Sequence, residues 1–292
     1  METILKGTGK TVVISPDRQT VIIGERINPT GRKKLAAALV AGDLDYVRAE
    51  AVAQVAEGAH VIDVNVGAAG VDEVDLLPKA VKAVAEVVDV PVCIDSSNPD
   101  AIAAALPVAP GRPLVNSVNG EERSLSRILP LIKQYGAAVI GLTMDEGGIP
   151  SDPEKRLEIA KKIIARAEAL GIAREDVIID CLALTMGADS KAGLITLRTI
   201  EAVRKTLGNN ITLGASNISF GLPEREQINA GFLAMAVMAG MNCPIVNPKK
   251  SRLALAVADL ALGRDDYAAN YLKAYRTISK ILAAEQAAKQ QQ

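Results

Sequence analysis

The residues best suited to chemistry in this sequence are carboxylates and carboxamides, placed where short β-branched runs give way to polar segments. Glu25, Arg26 and Asn28 follow VIIG (21–24), and Asp63 and Asn65 close HVIDVN (60–65), with Gly67 just beyond. Asp95 ends PVCID (91–95), Asn116 ends PLVN (113–116) and Asp180 ends DVIID (176–180). Gly214, Ser216 and Asn217 lie at the end of ITLGA (211–215), and Asn247 ends NCPIVN (242–247). Ionised carboxylates only accept hydrogen bonds, whereas carboxamides donate and accept. Gathered around one ligand, such a set suits a flat heterocycle edged with N–H and C=O groups, and a pterin has that edge. Asp and Asn are also common in loops and helix caps, so each residue alone has a purely structural reading. Nowhere does a Ser/His or Cys/His pairing suggest a protein nucleophile.

The elements that must position these residues alternate regularly. The strand candidates above, with AAVIGLT (137–143), are mostly continuous apolar runs, as expected of parallel strands buried on both faces. Helical segments lie between them. In 152–171, Asp152 caps, Pro153 takes the first turn, Leu157, Ala160, Ile164, Ala167 and Leu170 form an apolar face, and Gly171 ends it. In 43–58, Asp43 starts a helix whose face is Leu44, Val47, Ala51 and Val55, and Gly58 stops it. Pro130 predicts a kink or a delayed start in 121–135. Gly58, Gly136, Gly171 and Gly240 each close a helix shortly before the next strand.

Eight strand–helix units in roughly 245 residues match an α/β fold of the (β/α)8 TIM-barrel type. The alternative is an open doubly wound sheet, because periodicity alone does not show closure. The barrel reading gives one domain, with the barrel over about 21–263 and a helical tail over 264–292 that packs on the barrel or on a partner subunit. In such a barrel, function belongs at the C-terminal strand ends, where the polar set falls.

Composition narrows the partners. Thirty-three basic residues face 34 acidic ones, and only seven aromatic residues are present, so a nucleic-acid partner is not expected. Cys93, Cys181 and Cys243 are odd in number and far apart, which argues against a disulfide framework, and no CxxC or HxxxH spacing suggests a metal site. The start, METILKGTGKTVVIS, lacks the apolar run of a signal peptide, and no stretch has the length of a membrane span, so a cytoplasmic location is expected. His60, the one histidine, stands at the start of its strand and reads as structural. Lys249, Lys250 and Arg252 read as a solvated helix start, or else as a docking point for a folate glutamate tail or a partner.

Taken in order, GERINPTGRKK (24–34), VIDVNVG (61–67), CIDSSN (93–98), LVNS (114–117), GLTMDEGGIP (141–150), IID (178–180) and LGASNISFG (213–221) resemble the pterin-binding methyltransferase family. That family includes methyltetrahydrofolate:corrinoid/iron–sulfur protein methyltransferase, the folate domain of cobalamin-dependent methionine synthase and tetrahydrofolate:corrinoid protein methyltransferases. The fold so implied is dihydropteroate-synthase-like. The resemblance implies that Asp95, Asn116 and Asp180 hold the pterin, that Asp63 is presented beside them, and that Gly214 and Ser216 flank N5. It also implies that Asn217 acts catalytically at N5. Cys181 stands where relatives often have proline, which leaves the path of its loop open.

The implied reaction moves a methyl group between N5 of tetrahydrofolate, or 5-methyltetrahydrofolate in reverse, and the cobalt of a cobalamin or other corrinoid. Unlike methionine synthase, this sequence carries no corrinoid-binding domain, so the corrinoid is expected on a separate protein. A homodimer is the family's default. Two alternatives stay open: a dihydropteroate synthase, and a non-catalytic module that binds pterin and docks a corrinoid protein.

Overall fold

The computed structural model of the protein describes residues 1–290, so the last two residues of the predicted tail lie outside the described residues. A hairpin, β1 (Thr3–Lys6) and β2 (Thr11–Ile14), comes first and pairs antiparallel. Eight parallel strands follow: β3 (Ile23–Ile27), β4 (Val61–Asn65), β5 (Val92–Asp95), β6 (Leu114–Asn119), β7 (Ala138–Leu142), β8 (Val177–Asp180), β9 (Ile211–Thr212) and β10 (Ile245–Val246). They pair in the order β10-β3-β4-β5-β6-β7-β8-β9, and a parallel bridge between Gly214 and Ile245 joins the two ends. The Ile245 N–H donates to the Leu213 carbonyl at 2.8 Å across that seam. The sheet is therefore a barrel, and the open-sheet alternative is set aside.

The barrel interior explains the placement of the polar set. Side chains along a strand alternate between the two faces of the sheet. Ile23, Val61, Cys93, Leu114, Ile140 and Ile178 share one buried cluster inside the barrel with Leu5 and Ile14 of the hairpin. Two residues further on, the same inward face carries Glu25, Asp63, Asp95, Asn116, Leu142 and Asp180. Apolar side chains thus fill the lower layer, and the next layer towards the C-terminal ends turns polar. The hairpin closes the opposite end, where the Asn210 carboxamide donates to the Ile14 carbonyl at 2.9 Å and to Thr3 Oγ1 at 2.8 Å.

The helices wrap the outside: α1 (Lys33–Val40), α2 (Leu44–Glu57), α3 (Glu73–Val87), α4 (Pro99–Ala105), α5 (Glu122–Tyr135), α6 (Pro153–Ala169), α7 (Ala192–Leu207), α8 (Arg225–Ala239), α9 (Pro248–Ala261) and α10 (Ala269–Gln290). Asp43 caps α2 through the Asp45 N–H, and Asp152 caps α6 through the Glu154 N–H. Gly58 and Gly136 end α2 and α5 in the left-handed conformation that glycine enters without a Cβ clash. In α10, Ala274 and Ile278 are buried, and the helix lies against α9 and α2.

Three local expectations are modified. Helix α5 begins at Glu122 and runs through Pro130 to Tyr135, so its start is not delayed. Pro130 withholds an N–H from the Ser126 carbonyl, but both residues are exposed and water can serve that carbonyl. Leu170 is exposed rather than part of the α6 face, which instead buries Arg156. On α2 the expected face packs on the core, with Val47 and Ala51 buried and Leu44 and Val55 half-buried against it, and Gln54 joins it. Strands β9 and β10 are two residues each, shorter than the runs that announced them.

Candidate functional site

The register of neighbouring strands assembles the first part of the site. Asn65 on β4 pairs with Asp95 on β5, and Asp95 pairs with Asn116 on β6. The three inward side chains therefore stand side by side, and Asp63 lies one layer below Asn65. The Asn65 carboxamide donates to Asp95 at 2.9 Å and accepts the Gly67 N–H at 2.8 Å. Asn116 Nδ2 reaches Asp63 Oδ1 at 3.4 Å.

The electrostatics of this cluster follow from burial. Asp63 is only 2 % exposed, and desolvation, reinforced by the charge on Asp95, raises its carboxyl pKa well above the usual range. Two carboxyls this close, away from water, do not both ionise readily. Asp95 is itself pushed up to about 6, first by desolvation and then by the charge of Glu73, against the opposing pull of Asn65 and Asp63. Asp95 therefore presents an accepting carboxylate to the barrel mouth at neutral pH, with Asn116 beside it.

Asp180 ends β8 on another part of the ring. Its Oδ1 accepts the Leu182 N–H at 2.7 Å, and the Gly214 N–H also bonds to it. Desolvation nevertheless raises this carboxyl to about 6. The loop after it is held from behind by Arg156, which donates to the carbonyls of Pro150 at 2.7 Å, Cys181 at 2.7 Å and Leu182 at 2.8 Å. Leu182 has φ +56°, and the two guanidinium bonds to the Cys181 and Leu182 carbonyls help to hold that unfavourable turn. Sequence reasoning passed over Arg156, because an arginine beside an apolar helix face carries no signal of its own.

Asn217 lies in a 3-10 turn, Ala215–Ser219, directly after β9. Its side chain is exposed at the mouth, and its Nδ2 would stand 3.2 Å from a Cβ placed on Gly214. A side chain at 214 would crowd the carboxamide, which gives Gly214 a positioning role. Ser216 does not face the Asp63–Asp95–Asn116 group. Its Oγ donates to Glu25 at 2.9 Å. Glu25 also accepts the Asn247 N–H, and burial raises its pKa against the opposing pull of that bond, Ser216, Arg26 and Arg225. Arg225 in turn holds the Ser216 carbonyl at 2.9 Å and Ser219 Oγ at 3.1 Å. Glu25 was visible in the sequence as a strand-end carboxylate, but its pairing with Ser216, 191 residues away, was not.

The remaining reactive-looking groups are structural. His60 Nδ1 accepts the Ile22 N–H at 2.9 Å, joining β3 to β4. All three cysteines are free and buried, and burial pushes each thiol up. Lys249 pairs with Glu285, Lys250 pairs with Glu226 at 2.5 Å, and Arg252 donates to the Glu57 carbonyl at 3.2 Å. These three cations are bound within the fold.

Comparison with known proteins agrees with this geometry. The family described as pterin binding enzyme matches residues 24–247. Methylcorrinoid:tetrahydrofolate methyltransferase of Eubacterium limosum is 32% identical over 264 residues, covering 88% of this chain and 96% of that protein. Methionine synthase of Mycobacterium tuberculosis is 31% identical over 252 residues, covering 82% of this chain, which spans only 21% of the synthase. Among solved structures, Yersinia pestis dihydropteroate synthase superimposes with a TM-score of 0.67 at 18% identity, covering 89% of this chain and 100% of that one, a likeness of fold. The ordered polar layer of the barrel and the match over residues 24–247 place this chain in the pterin-binding enzyme family.

Proposed function

We propose that the protein is a tetrahydrofolate–corrinoid methyltransferase, working in the sense named for its Eubacterium limosum relative, from a methylcorrinoid to tetrahydrofolate. The observation that carries this reading is the split of the barrel mouth. One arc, Asp63, Asp95 and Asn116 with Asp180 beyond, offers acceptors and a carboxamide to a pterin edge. Another arc presents Asn217, beside Ser216, whose hydroxyl is committed to Glu25. Asp95 and Asp180 accept from the pterin N–H groups, and Asn116 serves the edge between them. Burial raises the Asp95 carboxyl, and Asp63 from below pulls it back down.

In the reaction, the N5 lone pair attacks the methyl carbon, the cobalt–carbon bond breaks with its electron pair left on cobalt, and N5 then releases its proton. Reversal needs a proton at N5, because an unprotonated amine anion is a poor leaving group. The protein's task is alignment, together with a preplaced dipole at N5. Asn217 supplies that dipole. Gly214 leaves space for it, and Ser216, tied to Glu25, fixes its turn.

The corrinoid arrives as a substrate on a separate protein. The enzyme is a cytoplasmic, single-domain homodimer. Supporting the dimer, α8 and its cap carry no charge from Ile228 to Met241, and Met235 and Met238 are exposed on this outer helix. No helix among the described residues is long and apolar enough to cross a membrane. The likeness to dihydropteroate synthase is one of fold, so that alternative has no support of its own.

Asn217→Ala tests the reading against a binding module. Loss of one preplaced polar group costs about 100- to 1,000-fold in turnover. The variant should show that loss while its tetrahydrofolate affinity stays within about threefold. Unchanged turnover would remove Asn217 from the chemistry, and equal losses in binding and turnover would make it a binding residue.

A further inference from the structure

Strand β3 does not alternate to its end. Gly24 pairs with Ile62 and Ile27 pairs with Val64, so Glu25 and Arg26 together stand opposite the single residue Asp63. That is a β-bulge, and it changes which way the next side chain points. Ile23 packs inside the barrel. Strict alternation would send Ile27, four residues on, the same way and over Glu25. Ile27 instead joins the outer core that holds Val64, Leu35 and Leu39. The bulge thus makes Glu25 the last inward side chain of β3, where it lines an open cavity at the mouth.

A bulge leaves backbone groups without a ladder partner, and here side chains serve them. The Arg26 N–H donates to Gln54 Oε1 at 2.8 Å, and the Arg26 carbonyl accepts from Arg32. Arg32 is held in turn by Glu50 at 2.5 Å, and Glu50 Oε2 lies 3.9 Å from Arg26 Nε. Glu50 and Gln54 are four residues apart on α2 and share a face of that helix. One helix face therefore serves both backbone groups of Arg26, the first directly and the second through Arg32.

Two features tie the Gln54 carbonyl to this bond. Gln54 is fully buried, yet its Nε2 has no partner, so core packing alone gives no reason for a carboxamide there. Gly24 makes room for the other end: a Cβ at position 24 would lie 2.5 Å from Gln54 Oε1. The consequence reaches the point of methyl transfer. Glu25 accepts from Ser216 Oγ at 2.9 Å, and Ser216 precedes Asn217 in the same 3-10 turn.

We propose that Gln54 is a positioning residue for methyl transfer: with Glu50 acting through Arg32, it builds the β3 bulge that holds Glu25 against Ser216 and so sets the turn that carries Asn217. The proposal rests on the methyltransferase reading. It makes α2, a helix on the outside of the barrel, part of the support of Asn217.

The test uses the full chain and the variant Gln54→Met, which keeps the length of the side chain and removes the acceptor. Three quantities are read: hydrogen exchange at the Arg26 amide, kcat for transfer from methylcobalamin at saturating tetrahydrofolate, and Kd for tetrahydrofolate. Exchange should rise and kcat should fall, each about tenfold, the size of one lost buried hydrogen bond, with Kd within about twofold. Retained folate affinity shows that the variant folds. In a Ser216→Ala background, where the tie to Glu25 is already cut, Gln54→Met should lower kcat by less than about twofold more. Glu50→Gln removes the charge that holds Arg32 and should give the same pattern at about threefold, so a Gln54→Met chain that fails to fold does not end the test. Unchanged exchange at Arg26, an unchanged kcat, or a full tenfold loss in the Ser216→Ala background would each overturn the positioning role. So would an equal rise in Kd, which would place the effect of Gln54 on folate binding. No transfer by the wild type would sink the proposed reaction and with it the link to Asn217, while raised exchange at Arg26 would leave the bulge assignment standing.

Discussion

Tetrahydrofolate affinity should fall steeply with acidity, because the two carboxyls assigned to the pterin titrate unusually high. Burial holds Asp95 and Asp180 near 6, against an ordinary value of 3.8. In the empty protein the sign is that of a raised carboxyl. Its stabilising contribution is full below the ordinary value and is lost as pH rises through about 6. At neutral pH both groups are desolvated charges that already accept from the chain, Asp95 from Asn65 and Asp180 from Leu182 and Gly214, and the pterin N–H groups add to those donors. Only the ionised form accepts two such bonds, so each group multiplies the apparent Kd by 1 + 10^(pKa − pH). At pH 8 that factor is about 1, and at pH 5 it is about 11, so the pair weakens binding roughly 100-fold across the window. Asp180→Asn removes one titration. Its affinity at pH 8 should be lower than the wild type's, and its further loss down to pH 5 should be only about tenfold. Calorimetric titration with tetrahydrofolate under anaerobic conditions at pH 8, 7, 6 and 5 measures both slopes. A wild-type Kd that moves less than about threefold over that range would refute the assignment of these carboxyls. An Asp180→Asn slope equal to the wild type's would refute Asp180 alone.

Two further outcomes follow from the packing. Arg156→Lys keeps the charge but loses the fork that serves three carbonyls, so the urea midpoint should fall by the equivalent of about 2–4 kcal/mol, with weaker tetrahydrofolate binding through the Asp180 loop. An unchanged midpoint would show that lysine or water serves those carbonyls equally well. If α8 is the interface of the proposed dimer, Met238→Lys, which places a charge on its uncharged outer stretch, should give a monomer in sedimentation velocity. A dimer that persists at micromolar concentration would move the interface elsewhere.

What could be read from the sequence depended on how local its cause was. The carboxylates and carboxamides at the strand ends were legible because each ends a strand of inward- and outward-facing side chains, and alternation carries the last inward residue to the barrel mouth. Asp43, Asp152 and the glycines that end helices were legible for the same reason, since caps act within a few residues. Long-range partners were not. Arg156 sits on α6 like any surface arginine, and only contact with the 181–182 carbonyls explains its burial. The Ser216–Glu25 bond joins β3 to the turn after β9, a meeting that barrel closure alone creates. The first hairpin was missed because two four-residue strands make a weak pattern, and its anchor, Asn210, lies far along the chain. β9 is cut short where the chain bends at Gly214 into the turn that carries Asn217.

The central claim is methyl transfer between a corrinoid and tetrahydrofolate, and one anaerobic absorbance experiment tests it most directly. Methylcob(III)alamin is mixed with the protein and tetrahydrofolate, and the spectrum is followed for loss of the methyl–cobalt form and growth of cob(I)alamin, with methyltetrahydrofolate measured at the end. The account predicts equal amounts of cob(I)alamin and methyltetrahydrofolate, formed only when both protein and tetrahydrofolate are present. No methyltetrahydrofolate from a protein that binds tetrahydrofolate, with either free methylcobalamin or a methylated corrinoid protein as donor, would contradict it.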